Sequence, residues 1–191
     1  MRKKILLHAC CGPCAEYPLQ ELLKSDADIT VYYFNPNIHP IEEWKRRLAQ
    51  LEYLTARLGL ELIVDGTSEP DIWIDWEKQG KTNRCSMCYE SRLGKTAAKA
   101  AELGMDAFLS TLQVSPYQDF DLITSIGNNY AEKYSLEYMA SDFRSGFRQG
   151  QNMAREDGLY RQKYCGCAIS LENSDFREKI LRDLEGLAAQ Q

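Results

Sequence analysis

The seven cysteines stand in three tight groups: Cys10-Cys11-Gly12-Pro13-Cys14, Cys85-Ser86-Met87-Cys88 and Cys165-Gly166-Cys167. A lone cysteine packs as a small hydrophobe, but CCxxC, CxxC and CxC are spacings that supply metal and redox sites. An odd count argues against a framework of structural disulfides, and a chain of 191 residues needs no such staples. Adjacent cysteines suit a single tetrahedral zinc badly, because successive side chains diverge. They can reach different corners of a cubane, whose irons each take one thiolate. Cys10 and Cys11 with Cys85 and Cys88 make up the four thiolates of a 4Fe–4S cluster, with zinc as the competing metal. Cys165 and Cys167 could close only a small, strained, easily reduced disulfide, which Gly166 between them would permit. This pair reads either as a dithiol that cycles or as part of a second metal site. Cys14 is left to join that second site or to pack.

The elements that must position these thiols alternate between strand and helix. Lys4–His8 is a short apolar run and Ile29–Phe34 a β-branched and aromatic one, and Leu60–Val64, Ala107–Leu109 and Leu136–Met139 complete five expected strands. Between them lie helical patterns. Pro13 opens one whose face carries Tyr17, Leu19, Leu22 and Leu23. Trp44, Leu48, Leu51, Leu54 and Leu58 define another, with Gly59 as its C-cap. Arg92–Leu103, Asp119–Tyr134 and Phe147–Asp157 follow, and Ser174 is placed to cap a last helix turning Phe176, Ile180, Leu181, Leu184 and Leu187 inward. Strands separated by helices predict a doubly wound, mainly parallel α/β sheet with additional C-terminal helices. No repeat or linker divides it, so residues 1–191 read as one domain. The 44% hydrophobic and 27% charged composition is that of a chain with a real core. No apolar run approaches a membrane span. The start is basic and then apolar, and its apolar part is far too short for a signal peptide, which predicts a cytoplasmic protein with no membrane partner.

On that fold the first cysteine group falls between the first strand and the first helix, at the carboxyl edge where open α/β sheets bind ligands. A helix N-terminus there favours the thiolate. Neither GxGxxG nor a Ser-Gly-Gly-x-Asp-Ser phosphate loop occupies the turn, so the edge is expected to bind metal rather than ATP phosphates. Cys85 and Cys88 are expected just before the Arg92–Leu103 helix. Asn35-Pro36-Asn37-Ile38-His39-Pro40 and Ser115-Pro116-Tyr117 follow strands at the same edge, where a plain turn is the competing reading. His8 reads as a structural histidine before it reads as a ligand. Arg144, Arg148, Arg155, Arg161 and Lys163 form a basic stretch in a chain of net charge −5. They are either solvated charges or local contacts to phosphates.

Four segments together resemble the QueH family of cobalamin-independent epoxyqueuosine reductases. They are His8–Cys14, Asn35–Pro40, Arg84–Tyr89 and Tyr160–Cys167, in that order, within a match running from the first strand to about Ser170. The resemblance implies a Rossmann-like domain of the nucleotide α-hydrolase type carrying a 4Fe–4S cluster. It implies the last step of queuosine formation, in which the epoxide at the tRNA wobble nucleoside is reduced to a cyclopentene. Carried over, the cluster ligands are Cys10, Cys11, Cys85 and Cys88, and Cys165 and Cys167 take the family's redox-active CGC position. Cys14 matches the family's third N-terminal cysteine. The implied partners are tRNA bearing epoxyqueuosine and an external electron donor.

Removing an epoxide oxygen as water takes two electrons and two protons, whereas a cluster passes one electron at a time. A nearby dithiol could hold the second, or an additional mononuclear iron could bind the epoxide oxygen. The competing classes are a zinc-stabilised nucleic-acid-binding module, colourless and redox-silent, and a cytosolic thiol oxidoreductase working through Cys85 and Cys88 without metal. A tRNA-thiolating ATP pyrophosphatase would need the phosphate loop that the first turn lacks.

Overall fold

A strand buried on both faces must lie in the middle of a sheet covered by helices on both sides. β1 (Lys3–His8) is such a strand: Ile5, Leu6 and Leu7 are each 2% exposed or less. In the computed structural model, which describes residues 1–78 and 83–188, β1 pairs in parallel with β2 (Ala27–Tyr33) on one side. β4 (Ala107–Ser110) pairs with it on the other. β3 (Glu61–Val64) extends the sheet beyond β2, and β5 (Glu137–Tyr138) extends it beyond β4, all parallel. The order β3-β2-β1-β4-β5 reverses direction between β1 and β4. That reversal is the switch point whose carboxyl edge forms the ligand crevice of doubly wound sheets.

Alternation along β1 divides the core. Ile5 and Leu7 pack with Leu19 of α1 (Gly12–Leu22) and with Leu51 and Leu54 of α2 (Ile41–Leu58). Leu6 faces the opposite layer, with Leu93 of α4 (Arg84–Glu102) and Ile123 and Ile126 of α5 (Phe120–Tyr134). Gly59 closes α2 at φ 66°, the left-handed conformation glycine accepts without strain. α3 (Asp71–Lys78) and α7 (Ala168–Glu172) are only eight and five residues long, too short for periodicity alone to announce them. α6 (Phe147–Glu156) lies against α1, and α8 (Arg177–Ala188) ends the described chain.

Two expected core residues lie outside. Leu23 is 43% exposed because it caps α1 after the last helical residue. Phe176 is 54% exposed because α8 begins at Arg177, which leaves Phe176 off its apolar stripe. Ser174 accepts the Phe176 N–H at 3.2 Å, turning the chain ahead of the helix. Among the described residues, no helix is long and apolar enough to cross a membrane.

One boundary bears on the site. α4 starts at Arg84, not at the expected Arg92, so Cys85 and Cys88 belong to its first turns rather than to the loop before it. Buried Cys88 continues the helix's inner face, which the spacing of larger apolar residues alone does not reveal. Cys85, Cys88 and Arg92 therefore fall at i, i+3 and i+7, on one side of the helix.

Candidate functional site

β1 delivers Cys10 and Cys11 directly to the switch point, and α1 begins at once, with Cys11 as N-cap and Pro13 in the first turn. One helical turn later Cys14 returns to the same place. The three sulfurs lie within 4.8 Å of one another, all buried, and Cys10 and Cys11 Sγ are 3.8 Å apart. Across the switch point, a 3₁₀ turn at Thr111–Val114 follows β4, fixed by reciprocal bonds between Ser110 and Gln113. It brings Thr111 to Cys10. The Cys10 N–H donates to Thr111 Oγ1 at 3.1 Å, and the Thr111 hydroxyl donates to Cys10 Sγ at 3.5 Å. Gln162 Nε2 donates to Cys14 Sγ at 3.3 Å.

Hydrogen bonds from Cys11 and Cys14, helped by Thr111 and the Arg47 charge, hold the Cys10 thiol well below the ordinary thiol range. Burial pushes Cys11 well above it, and the hydrogen bond with Cys10 pushes Cys14 up.

The other four cysteines gather along a narrow hollow with Trp73, Tyr89, Arg92 and Gln118. Cys88 and Cys167 are buried, Cys85 and Cys165 exposed. Burial pushes the Cys88 thiol up to about 12, against the pull of Arg92, whose Nη2 donates to Cys88 Sγ at 3.0 Å. Arg92, Gln118 and Cys165 also line a larger cavity of about 380 Å³ that contains Cys10 and Cys14. Cys165 thus stands where the two sulfur groups meet. The structure brings Cys10 and Cys11 together with Cys14, and Cys85 and Cys88 together with Cys165 and Cys167. It does not draw Cys10, Cys11, Cys85 and Cys88 into one compact set among the described residues.

The Cys165-Gly166-Cys167 loop is held by the segment after β2. The His39 N–H donates to Gly166 O at 2.8 Å, and the Tyr164 hydroxyl donates to His39 O. Arg47, 1% exposed on the inner face of α2, donates to the carbonyls of Tyr164 and Cys165 at 3.0 Å each. Its Nε meets Glu43 at 2.7 Å, so the buried cation is paired. Gly166 sits at φ 127°, and a Cβ there would come 3.1 Å from both Arg47 Nη1 and Ile38 Cγ1. Gly166→Ala is therefore expected to cost about 1–3 kcal/mol, a loss of several degrees in Tm, and to displace both thiols. A thermal melt alongside thiol accessibility checks this.

His8 is fully buried, with Nδ1 on the Ser110 hydroxyl at 2.8 Å and Nε2 on Phe34 O at 3.1 Å. Burial lowers it to about 4, so it is a neutral structural residue. Asn35 donates to Ala9 O at 2.9 Å, pinning the loop beside the cysteines. Arg144 forms a fork with Asp142 at 2.8 and 2.7 Å, whereas among the described residues Arg148 and Arg161 make no ion pair. Cysteine spacing and turn motifs do not point to Arg47, Arg92, Thr111, Gln118 or Gln162 as site residues. For the two arginines a signal existed, a charge on the apolar face of a helix: Arg47 is three residues after Trp44 and Arg92 four after Cys88.

All-thiol donors are the soft set that iron–sulfur clusters and zinc prefer, and Arg47 and Arg92 set buried positive charge against them. The residues thus fit a thiolate-held metal centre. The family described as Epoxyqueuosine reductase QueH matches residues 5–173. A protein of that name from Streptococcus pyogenes serotype M1 is 37% identical over 183 residues, covering 89% of this chain and 71% of its own. Another from Dehalococcoides mccartyi is 33% identical, covering 89% of this chain and 93% of its own. One from Thermotoga maritima is 31% identical, covering 87% and 90%. The thiol-lined switch point and a match over nearly the whole described chain lead to one assignment: the protein belongs to the QueH epoxyqueuosine reductase family.

Proposed function

We propose that the protein reduces epoxyqueuosine to queuosine at the wobble position of tRNA. Cys10, Cys11, Cys85 and Cys88 hold a 4Fe–4S cluster, and Cys165 and Cys167 serve as a redox pair beside it. The observation that carries this reading is the place of Cys165, which lines both the cavity of Cys10 and Cys14 and the hollow of Cys85 and Cys88. When bound, such a cluster supplies single electrons at low potential. The chain's own thiols supply the electron pair. Oxidation of Cys165 and Cys167 to a disulfide releases two electrons and two protons. The epoxide consumes both: its two C–O bonds break, a C=C bond forms, and the oxygen leaves as water. An external donor then reduces the disulfide. Gln118 Nε2, 3.8 Å from Cys165 Sγ, orients that thiol, and Arg47 fixes its backbone. A second reading, a single iron beside the cluster, is favoured by the third clustered sulfur, Cys14.

The test is turnover. Anaerobically purified, brown protein with a reductant should convert epoxyqueuosine tRNA to queuosine tRNA, read by nucleoside analysis. A colourless protein with stoichiometric zinc and no turnover would sink the proposal. Binding to tRNA by a chain of net charge −5 must rely on local cations, so affinity should fall steeply with salt. Arg148→Ala and Arg161→Ala should weaken tRNA binding more than Arg144→Ala, because Asp142 already neutralises Arg144. Equal losses at the three positions would contradict this.

A further inference from the structure

The cavity at the switch point has an aromatic mouth as well as a sulfur floor. Tyr117 is 84% exposed yet lines it, together with Phe147. The two rings meet edge to face, centroids 6.1 Å apart at 87°. An aromatic ring so open to water contributes little to the core, and this one is held in place. It sits in a turn with Pro116 at the second position, closed by Gln118 N–H to Ser115 O at 3.3 Å. The Tyr117 N–H also donates to Ser115 Oγ at 3.3 Å. The turn is in turn fastened to the sulfur floor. Gln118 accepts the Tyr89 hydroxyl at 2.7 Å through Oε1 and donates to Cys165 Sγ through Nε2.

We propose that Tyr117, braced by Phe147, is the stacking platform for the nucleobase that enters this cavity, and that the Ser115–Gln118 turn sets that base in register with Cys165. This rests on the reading that the substrate is the wobble nucleoside of a tRNA. A base unstacked from its loop loses its neighbours' π-faces and regains one on an aromatic side chain. A cavity of about 380 Å³ is of the size that encloses a single small ligand. The exposed Lys163 also lines the cavity and carries positive charge there, where the flanking phosphates would pass. Tyr117 is thus a positioning and binding residue, distinct from the cysteines that exchange electrons.

The experiment compares holoenzyme Tyr117→Ala and Tyr117→Phe with the wild type. One measurement is KM and kcat on epoxyqueuosine tRNA. The other is fluorescence anisotropy of a labelled anticodon stem-loop RNA with guanine at the wobble position. Loss of one base–aromatic stack should raise KM and the stem-loop Kd about tenfold, with a smaller change in kcat, and Tyr117→Phe should keep the wild-type values. Iron content and Tm should not move, because the side chain is exposed. Wild-type KM and Kd in Tyr117→Ala would overturn the platform, as would an equal loss in Tyr117→Phe, which would make the hydroxyl the important group. If the wild type binds the stem-loop but does not turn over epoxyqueuosine tRNA, the assigned reaction fails while the Kd comparison still decides the platform. If the wild type does not bind the stem-loop, the platform is overturned.

Discussion

Serine at Cys11 or at Cys88 is expected to strip the anaerobically purified protein of most of its iron, its acid-labile sulfide and the brown absorbance they carry. A serine hydroxyl is a hard, weakly acidic donor that replaces a soft thiolate poorly. The two positions report on different parts of the proposed ligand set. Cys11 is 1% exposed at the N-cap of α1, and Cys88 is 6% exposed on α4 beneath Arg92. Each variant leaves a buried hydroxyl, at a cost of about 1–3 kcal/mol where no partner is found. A melt and far-UV spectrum therefore accompany the metal analysis. Full iron and sulfide in folded Cys88→Ser would eliminate the Cys10, Cys11, Cys85 and Cys88 assignment. Cys14→Ser provides the contrast. If it loses sulfide as completely as Cys11→Ser does, the metal rests on the compact Cys10, Cys11 and Cys14 group.

The second large effect is expected from Cys167→Ser, which should keep the cluster and its colour but reduce turnover of epoxyqueuosine tRNA to background. Cys167 lies in the hollow with Cys88, and its sulfur accepts the Ser170 N–H at 3.4 Å as the cap of α7. A serine oxygen can make that cap as well or better, so the fold should survive. What is lost is the thiol with which Cys165 forms the disulfide, and with it the two-electron donor beside the cluster. The two forms of the proposal separate by metal analysis. A redox pair predicts unchanged iron and sulfide in the variant and a titratable dithiol in the wild type. A single-iron site predicts a fall of about one iron with sulfide unchanged, because a lone iron carries no sulfide. Loss of the whole cluster would make Cys167 a primary ligand. Full activity would reduce the Cys165-Gly166-Cys167 segment to a structural turn.

Residue type and short-range spacing are properties of the sequence, and so are their consequences. The strand–helix alternation, the buried β1, the Gly59 cap and the position of Cys10 and Cys11 at a strand's carboxyl end all follow from local periodicity and turn chemistry. So does the suspicion that seven clustered thiols serve a metal or redox centre. The long-range partners do not follow. Nothing local states that Arg47 in α2 will donate to the carbonyls of Tyr164 and Cys165, more than a hundred residues away. Nor does it state that the segment after β2 will clasp Gly166. Local spacing also understated α4, because thiols that continue an apolar face are not weighed as apolar.

Pairing of the cysteine groups depends on the crossover order of the sheet. The β1–β4 reversal brings Thr111 to Cys10 and makes one crevice of two chain segments about a hundred residues apart. Packing of α4 then carries Cys88 beside Cys167 and Trp73, in contact with a buried guanidinium that faces both sulfur groups. Sequence determined that thiols would stand at the ends of strands and helices. Tertiary structure decided which of them meet, because burial of the apolar faces, not the thiols' own chemistry, sets the distances between those ends.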